Sequence, residues 1–145
     1  MILFAKDYFN EFNQLFRLKN ISNDPTVYIN ITAKKDCTHA PAGKENWFVM
    51  VNAPHIQNQN WDNEIKRARL NIIKKINNLL KINIEQHIEF EKIMSPVDIQ
   101  NRTGSYLGSI YGISSNNKFA AFMRQSNKSQ TVKNLYFCGG SAHPG

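Results

Sequence analysis

The sequence predicts an α+β fold, in which helices cover one face of a mixed, largely antiparallel sheet. Two runs of apolar and β-branched residues, at positions 26–32 and 47–53, have the composition of strands. Between positions 63 and 81 the apolar residues instead recur every three or four positions, which is the period of a helix with one buried side. Short strands together with one long amphipathic helix are typical of a layered α+β domain.

The first predicted elements are a short strand at positions 2–5 and a helix that follows it. Asp7 is a suitable N-cap, because a carboxylate accepts hydrogen bonds from the unpaired N–H groups of the first helical turn. One side of this helix carries an apolar, mostly aromatic stripe, and stripes of this kind usually pack into a core. The members of the stripe are Tyr8, Phe9, Phe12, Leu15 and Phe16.

Three strands are predicted to form the sheet. The first, at positions 26–32, alternates and should turn one side inward. The second, at positions 47–53, is apolar enough to be buried on both faces. The third, at positions 87–94, is predicted because Ile88 and Phe90 alternate with glutamates, which indicates one wet face. On the first strand the shared inward face carries Val27, Ile29 and Ile31.

The long helix at positions 63–81 is predicted to begin after Asp62, its N-cap. Its cations lie largely off the apolar stripe, so the favoured interpretation is a solvated basic face above a stripe that packs on the core. A basic helix that faces a membrane is the alternative. The cations are Lys66, Arg67, Lys74 and Lys75.

A second, shorter helix is predicted from Ser95, which can cap it. Pro96 suits the first helical position, and Asp98 can bond back to the cap and complement the helix dipole. This helix should end by Gly104, the first of three glycines that recur every four residues.

Length and composition indicate one globular domain. A chain of 145 residues with 41% hydrophobic and 20% charged residues can bury a modest core, and its net charge of +7 alone selects no partner. Cys37 and Cys138 imply no disulfide framework, and Cys37 with His39 lacks further zinc ligands, so no metal site is predicted. Without a recognisable signal peptide or membrane-spanning run, we expect a cytoplasmic protein, with peripheral membrane contact left open.

The C-terminal residues 134–145 are the most distinctive part of the sequence. Positions 135–138 are apolar and aromatic and predict a short buried strand, and Gly139 and Gly140 follow directly. Tandem glycines after a strand allow a sharp turn and the close approach of another group, because no Cβ intervenes. Successive N–H groups in such a turn can form a concavity that binds anions.

The string KNLYFCGGSAHPG, which ends the chain, resembles the C-terminal flavin-contacting signature of phytoene desaturases and related carotenoid dehydrogenases. Three further stretches, at positions 24–54, 95–116 and 120–129, are similar to the same family in the same order. The resemblance therefore extends over nearly the whole chain. The flavin-binding fingerprint of the family lies near the N-terminus of a much longer chain and has no match here, so we expect the C-terminal part of such an enzyme.

The resemblance implies a division of the chain within the fold of FAD-dependent amine oxidases and phytoene desaturases. Residues 1–133 would be part of the substrate-side domain, and residues 134–145 would be the returning strand and glycine-rich turn of the FAD-binding domain. In this chain alone, the strand at 135–138 is expected to pair differently or to lie exposed.

The resemblance also implies site residues, although it assigns no catalytic residue. Tyr111 would line the substrate side of the pocket. Arg124 matches an arginine of the family's Phe-Arg-Pro stretch, and Gln125 here replaces the proline. The implied FAD contacts are Gly139, Gly140, Ser141, His143, Pro144 and Gly145.

The implied activity is the introduction of double bonds into a long hydrophobic polyene, with FAD as the hydride acceptor. Saturases, isomerases and oxygenases of polyenes share these motifs and are alternatives within the same fold family. A flavin pyrophosphate needs a glycine-rich turn that leads into a helix, and the family places this fingerprint in the N-terminal part, which has no match here. This polypeptide alone is therefore expected neither to bind flavin tightly nor to catalyse the reaction.

Two other classes of function are open to the sequence. One is a non-enzymatic basic module that binds nucleic acid or an anionic membrane through the helix at 63–81. Outside that helix Lys34 and Lys35 form the one obvious basic cluster, so no nucleic-acid partner is expected. The other is a free-standing α+β domain without a ligand.

Overall fold

The computed structural model describes residues 1–111, 125–140 and 142–143, and for residues 125 and 143 the backbone alone. Three strands form an antiparallel sheet in the order β1 (Ile2–Leu3), β2 (Val27–Ile31) and β3 (Trp47–Val51). The strands predicted at 26–32 and 47–53 are therefore confirmed, and with the helices the chain has the predicted α+β class.

The core lies between one face of this sheet and helix α2 (Trp61–Leu80). Val27 and Ile29 are buried completely, and Ile76 of the helix packs with them and with Leu3. Because each large aliphatic side chain contributes roughly 1.5–3 kcal/mol when buried, this contact holds the two layers together. Half-buried neighbours surround the cluster: Ile31, Trp47, Val51, Ile72, Leu80 and Ile84.

Helix α2 begins slightly earlier than predicted. Its N-cap is Asn60 rather than Asp62, because the Asn60 side-chain oxygen accepts a hydrogen bond from the backbone N–H of Asn63 at 3.1 Å. Asp62 and Glu64 lie instead in the first turn, where the helix dipole favours carboxylates. In the described part of the chain, no helix has both the length and the apolar character needed to cross a membrane.

Helix α1 (Tyr8–Asn13) begins as predicted and continues as a π-helical turn over Gln14–Leu18. Asp7 caps it by accepting a hydrogen bond from the Asn10 N–H at 2.9 Å. The prediction that its aromatic stripe packs into the core is wrong. Leu15 is buried, but the four aromatic members lie on the surface, and Phe9 is 90% exposed.

The third predicted strand, at positions 87–94, is wrong. A 3-10 turn occupies Ile84–His87, and the residues after it join no sheet in the described structure. The alternating glutamates form ion pairs instead: Glu91 bonds to the Arg69 guanidinium at 2.7 Å, and Glu89 pairs with Lys44. The strand that completes the sheet is β1, whose Ile2 pairs with Tyr28.

Helix α3 (Pro96–Thr103) confirms the predicted capping box. The Asp98 carboxylate accepts hydrogen bonds from the backbone N–H and the hydroxyl of Ser95, at 2.8 and 2.6 Å. Gly104 ends the helix in the left-handed conformation. The chain then returns so closely that a Cβ on Gly108 would meet the Pro96 carbonyl oxygen at 2.2 Å, so this position requires glycine.

The outer face of the sheet is uncovered in the described structure, and the prediction that the strand at 47–53 is buried on both faces is wrong. Phe48 and Met50 are 56% and 46% exposed. The strand register places them on one face with three residues of the other strands. We call this surface the open sheet face, and its residues are Ile2, Tyr28, Asn30, Phe48 and Met50.

Candidate functional site

The aromatic segment before the tandem glycines lies on the surface. Residues 135–138 form no strand, and Tyr136 makes an isolated antiparallel bridge with Lys128. A hydrogen bond of 2.8 Å from the Phe137 N–H to the Asn127 carbonyl folds the segment back on the preceding loop. The prediction of a buried strand is thus wrong for this chain, and exposure, the second outcome expected for the segment, is what the structure shows.

Gly139 opens a tight turn with a backbone that only glycine adopts easily. Its φ is +120°, and the Ala142 N–H donates to its carbonyl at 3.1 Å. A Cβ on Gly139 would have no atom within 4 Å. The backbone is therefore bare and open at this position, which permits another molecule to approach it closely.

Gly140 lies beside Tyr111, and this contact joins two of the regions that the sequence singled out. A Cβ on Gly140 would lie 3.4 Å from the ring carbons Cδ1 and Cε1 of Tyr111. The Tyr111 side chain is otherwise 72% exposed. At this distance an added Cβ would only touch the ring, and the rest of the Tyr111 side chain is free to meet a ligand.

The structure brings together only some of the predicted site residues. Ser141, Arg124, Pro144 and Gly145 lie outside the described residues. The backbone of His143 forms, with Ala142, the short strand β5 (Ala142–His143), which pairs in parallel with β4 (Gln125–Ser126).

Cys138 ends the segment at 135–138 for which a buried strand is predicted. It is exposed and free. The side chain of His143 lies outside the described structure.

An apolar cleft that the sequence did not predict lies between helix α1 and the chain after β3. Its walls come from Phe12, Leu15 and Phe16, with Lys19 at the edge. The rings of Phe12 and Phe16 lie 5.3 Å apart, and Tyr8 extends the row at 4.7 Å from Phe12. Its signal in the sequence is the aromatic stripe of α1, for which core packing is the prediction. The other side of the cleft is formed by Asn52, Ala53, Pro54 and His55.

Two carboxyl groups with shifted pKa values have structural roles. Hydrogen bonds from the Ser95 hydroxyl and backbone lower the pKa of Asp98. Burial raises the pKa of Asp24, but hydrogen bonds from the Lys6 N–H and the Lys75 ammonium outweigh it, and the net pKa is lowered. In the described ranges, no three His, Cys, Asp or Glu side chains gather in a way that could hold a metal ion.

The described part of the glycine-rich turn presents open backbone beside an exposed aromatic ring. Gly139 offers open backbone, and Tyr111 offers an exposed aromatic ring beside Gly140. A ring system such as a flavin can approach bare backbone closely and pack against an aromatic side chain. These residues leave room for a flat ring system beside the turn.

Sequence comparisons match the chain to a carotenoid desaturase and to oxygenases. No family model matches it. Over 144 residues it is 49% identical to the 1-hydroxycarotenoid 3,4-desaturase of Flavobacterium sp. (strain P99-3). The aligned region covers 99% of this chain and 30% of that protein. The chain is 35% identical over 144 residues to the 4,4'-diaponeurosporene oxygenase of Staphylococcus haemolyticus (strain JCSC1435), covering 99% of the chain and 29% of that protein.

The Staphylococcus aureus (strain NCTC 8325 / PS 47) oxygenase of the same name is 34% identical over 143 residues, which is 98% of the chain and 29% of that protein. The chain thus spans about 30% of the length of the relatives it matches. The resemblance carried by its motifs is confirmed, and the chain is a homologue of the carotenoid desaturases and oxygenases.

Proposed function

We propose that this chain is the C-terminal part of a FAD-dependent desaturase that introduces double bonds into a long carotenoid polyene. The observation that carries the proposal is the match of 99% of the chain, at 49% identity, to a 1-hydroxycarotenoid 3,4-desaturase. Because the alignment includes almost every residue of the chain, it supports the assignment of the whole chain and not of one motif alone.

The proposed division assigns residues 1–133 to the substrate-side domain and residues 134–145 to the FAD-binding domain. The exposure of the segment at 135–138 supports this division, because an apolar, aromatic segment of four residues is the kind that pairs inside a sheet. In the complete enzyme that sheet would belong to the upstream FAD-binding part.

FAD is the cofactor we propose, and Gly139, Gly140, Ser141, His143, Pro144 and Gly145 are its proposed contacts in this chain. When bound, FAD supplies the acceptor for a hydride from one carbon of the polyene, while a proton leaves the neighbouring carbon. The task of this chain is then placement. Gly139 leaves its backbone free for close contact, and the Tyr111 ring covers Gly140.

The substrate we propose is a hydrophobic polyene, with Tyr111 and Arg124 on the substrate side. The exposed ring of Tyr111 supports this role, because aromatic surface at a pocket wall excludes water from an apolar chain. A water-poor site also protects a reduced cofactor from side reactions.

A polyene oxygenase is the second candidate. The observation in its favour is that two relatives named 4,4'-diaponeurosporene oxygenase match the same extent of the chain at 35% and 34% identity. We rank the desaturase first because its identity of 49% is higher.

The basic-module alternative is disfavoured by the contacts of helix α2. The Arg67 guanidinium donates to the Ile21 carbonyl at 2.9 Å, and Arg69 is held by Glu91. The Lys75 ammonium is 9% exposed and is bonded to Asp24 and to the chain beside it. Of the four predicted cations, Arg67 and Lys75 therefore serve the fold, and Lys66 and Lys74 are exposed. Two exposed cations on one helix offer little charge for binding phosphates, so we propose no nucleic-acid partner. We place the complete enzyme in the cytoplasm and leave peripheral membrane contact open.

A graft tests the proposal. In the graft, this chain replaces the matched region of the Flavobacterium desaturase, and the purified protein is measured for flavin absorbance and for conversion of a 1-hydroxycarotenoid. We expect bound flavin and a product with one more double bond, seen as a red-shifted spectrum. A product that gains oxygen in mass spectrometry would support the oxygenase. A folded graft that binds flavin and converts no carotenoid would contradict both.

The isolated chain provides a second test. Because the upstream FAD-binding part supplies most cofactor contacts in this proposal, flavin fluorescence titration of the isolated chain should show no tight binding. A dissociation constant below about 1 μM, equivalent to roughly 8 kcal/mol of binding free energy, would contradict the division of the site.

A further inference from the structure

The open sheet face is apolar although nothing covers it in the described structure. An antiparallel sheet with one wet face normally turns polar residues outward. Here Ile2, Phe48 and Met50 are 49%, 56% and 46% exposed, and the one non-aromatic polar residue of the face is Asn30. None of its residues is charged.

The apolar residues of this face form a continuous surface. Ile2 pairs with Tyr28 and Tyr28 with Met50, so one row crosses all three strands. Asn30 and Phe48 form the next row. Because the sheet backbone is rigid, the row is a preformed surface, and contiguous apolar patches of this kind mark interaction sites.

The chemistry of the open sheet face distinguishes between a membrane and another protein element as the partner that covers it. An anionic membrane surface is attracted by exposed lysines and arginines, and the face carries none. A flat, charge-free apolar face matches the buried layer of a protein core, which another element covers. The relatives contain further polypeptide that could cover this face, because the matched region is only about 30% of their length.

We propose that the open sheet face packs against the polypeptide that lies outside the matched region in the complete enzyme. This inference rests on the proposed function and adds to it the surface on which the two parts meet. The face is then an internal layer of the enzyme, and Phe48 and Met50 lie in the middle of the contact.

Thiol labelling tests the proposal. The full chain carrying Met50→Cys and Cys138→Ser is labelled with a maleimide in three states. These are the isolated chain, the chain co-expressed with the unmatched part of the Flavobacterium desaturase, and the graft. Native Cys37, exposed in the loop between β2 and β3, is the internal reference. We expect the thiol at position 50 to react about as fast as Cys37 in the isolated chain and at least about tenfold more slowly in the two-part protein.

Each other outcome would overturn the proposal. Equal labelling in the graft would show that the face stays open, and a graft that still held flavin would leave the proposed function intact. Protection of the isolated chain that rises with its concentration would assign the face to a second copy. Protection that required anionic vesicles would assign it to a membrane, and protection of the graft that required added carotenoid would assign it to the substrate.

A second pair of variants addresses association directly. Phe48→Glu puts a charge on the open sheet face, and Leu70→Glu puts one on the outer side of helix α2, where Leu70 is 61% exposed. Both positions are solvated in the isolated chain, so both variants should fold. We expect Phe48→Glu to reduce co-purification with the unmatched part about tenfold and Leu70→Glu to leave it unchanged. Equal co-purification of the two variants would overturn the proposal.

Discussion

The ring of Tyr111 lies against the bare α-carbon of Gly140, at a distance where a β-carbon would be 3.4 Å from its Cδ1 and Cε1 atoms. The two residues belong to separate parts of the chain, so their contact ties the glycine-rich end to the loop after helix α3. It also supports the placement of Tyr111, on the substrate side of the proposed pocket, beside the glycine-rich turn.

This contact predicts a ring-current effect. The α-protons of Gly140 should be shifted in the NMR spectrum of the isolated chain, because they face an aromatic ring. Tyr111→Leu should remove the shift. Tyr106→Leu is the matched control, since Tyr106 is a neighbouring tyrosine that is 81% exposed. An unchanged Gly140 signal in Tyr111→Leu would show that the contact is not formed in solution.

Glu11 is predicted to fasten helix α1 to the start of β2. Its buried carboxylate accepts hydrogen bonds from the N–H and hydroxyl of Thr26 at 2.8 and 2.7 Å. Glu11→Ala leaves both Thr26 donors without an acceptor. We therefore expect the free energy of unfolding in urea to fall by roughly 1–3 kcal/mol for each donor. Asp36 accepts the same two bonds from Thr38 but is exposed, and Asp36→Ala should cost much less. Equal losses would contradict the role of burial.

The capping box of helix α3 is predicted to make stability depend on acid pH. The folded pKa of Asp98 lies below its ordinary value of 3.8, so its contribution is present above that value and is lost as the pH falls through the folded pKa. Thermal unfolding from pH 7 to pH 2 should show the difference between the native chain and Asp98→Asn shrink as the pH falls below 3.8. At pH 7, Ser95→Ala should cost about 0.5–2 kcal/mol. A difference that stays constant over the whole pH range would refute this assignment.

The N-terminus of helix α2 gives a prediction on which sequence and structure differ. The structure makes Asn60 the cap, so Asn60→Ala should cost about 0.5–2 kcal/mol in chemical unfolding. Asp62 makes only a favourable dipole interaction in the first turn, so Asp62→Ala should cost about 0.3–1 kcal/mol. A larger loss for Asp62→Ala would restore the cap that the sequence suggested.

The sequence was sufficient where local chemistry decides the structure. The alternation at 26–32, the helical stripe of α2 and the Ser95 cap each depend on residues within one or two turns, and all three are confirmed. The strand predicted at 87–94 is wrong because the alternation of Glu89 and Glu91 with apolar residues reflects ion pairs and not a strand with one wet face. The two glutamates reach Lys44 and Arg69, which are distant in sequence.

Sequence was insufficient where burial depends on another part of a protein. The aromatic stripe of α1, the outer face of β3 and the segment at 135–138 are all apolar and all exposed. A pattern of residues shows that a surface is suited to burial, but it does not show which element covers it. The Tyr111–Gly140 contact had no signal in either motif alone, because it arises from the path of the loops.

The central claim is that the glycine-rich turn is bare so that a flavin can approach it, and flavin retention in the graft tests this most directly. Gly139→Ala is compared with Gly43→Ala, because both glycines have positive φ angles and no atom within 4 Å of an added Cβ. We predict that Gly139→Ala lowers flavin affinity by at least about tenfold, or roughly 1.4 kcal/mol, and that Gly43→Ala leaves it unchanged. Equal flavin retention by the two folded variants would contradict the claim.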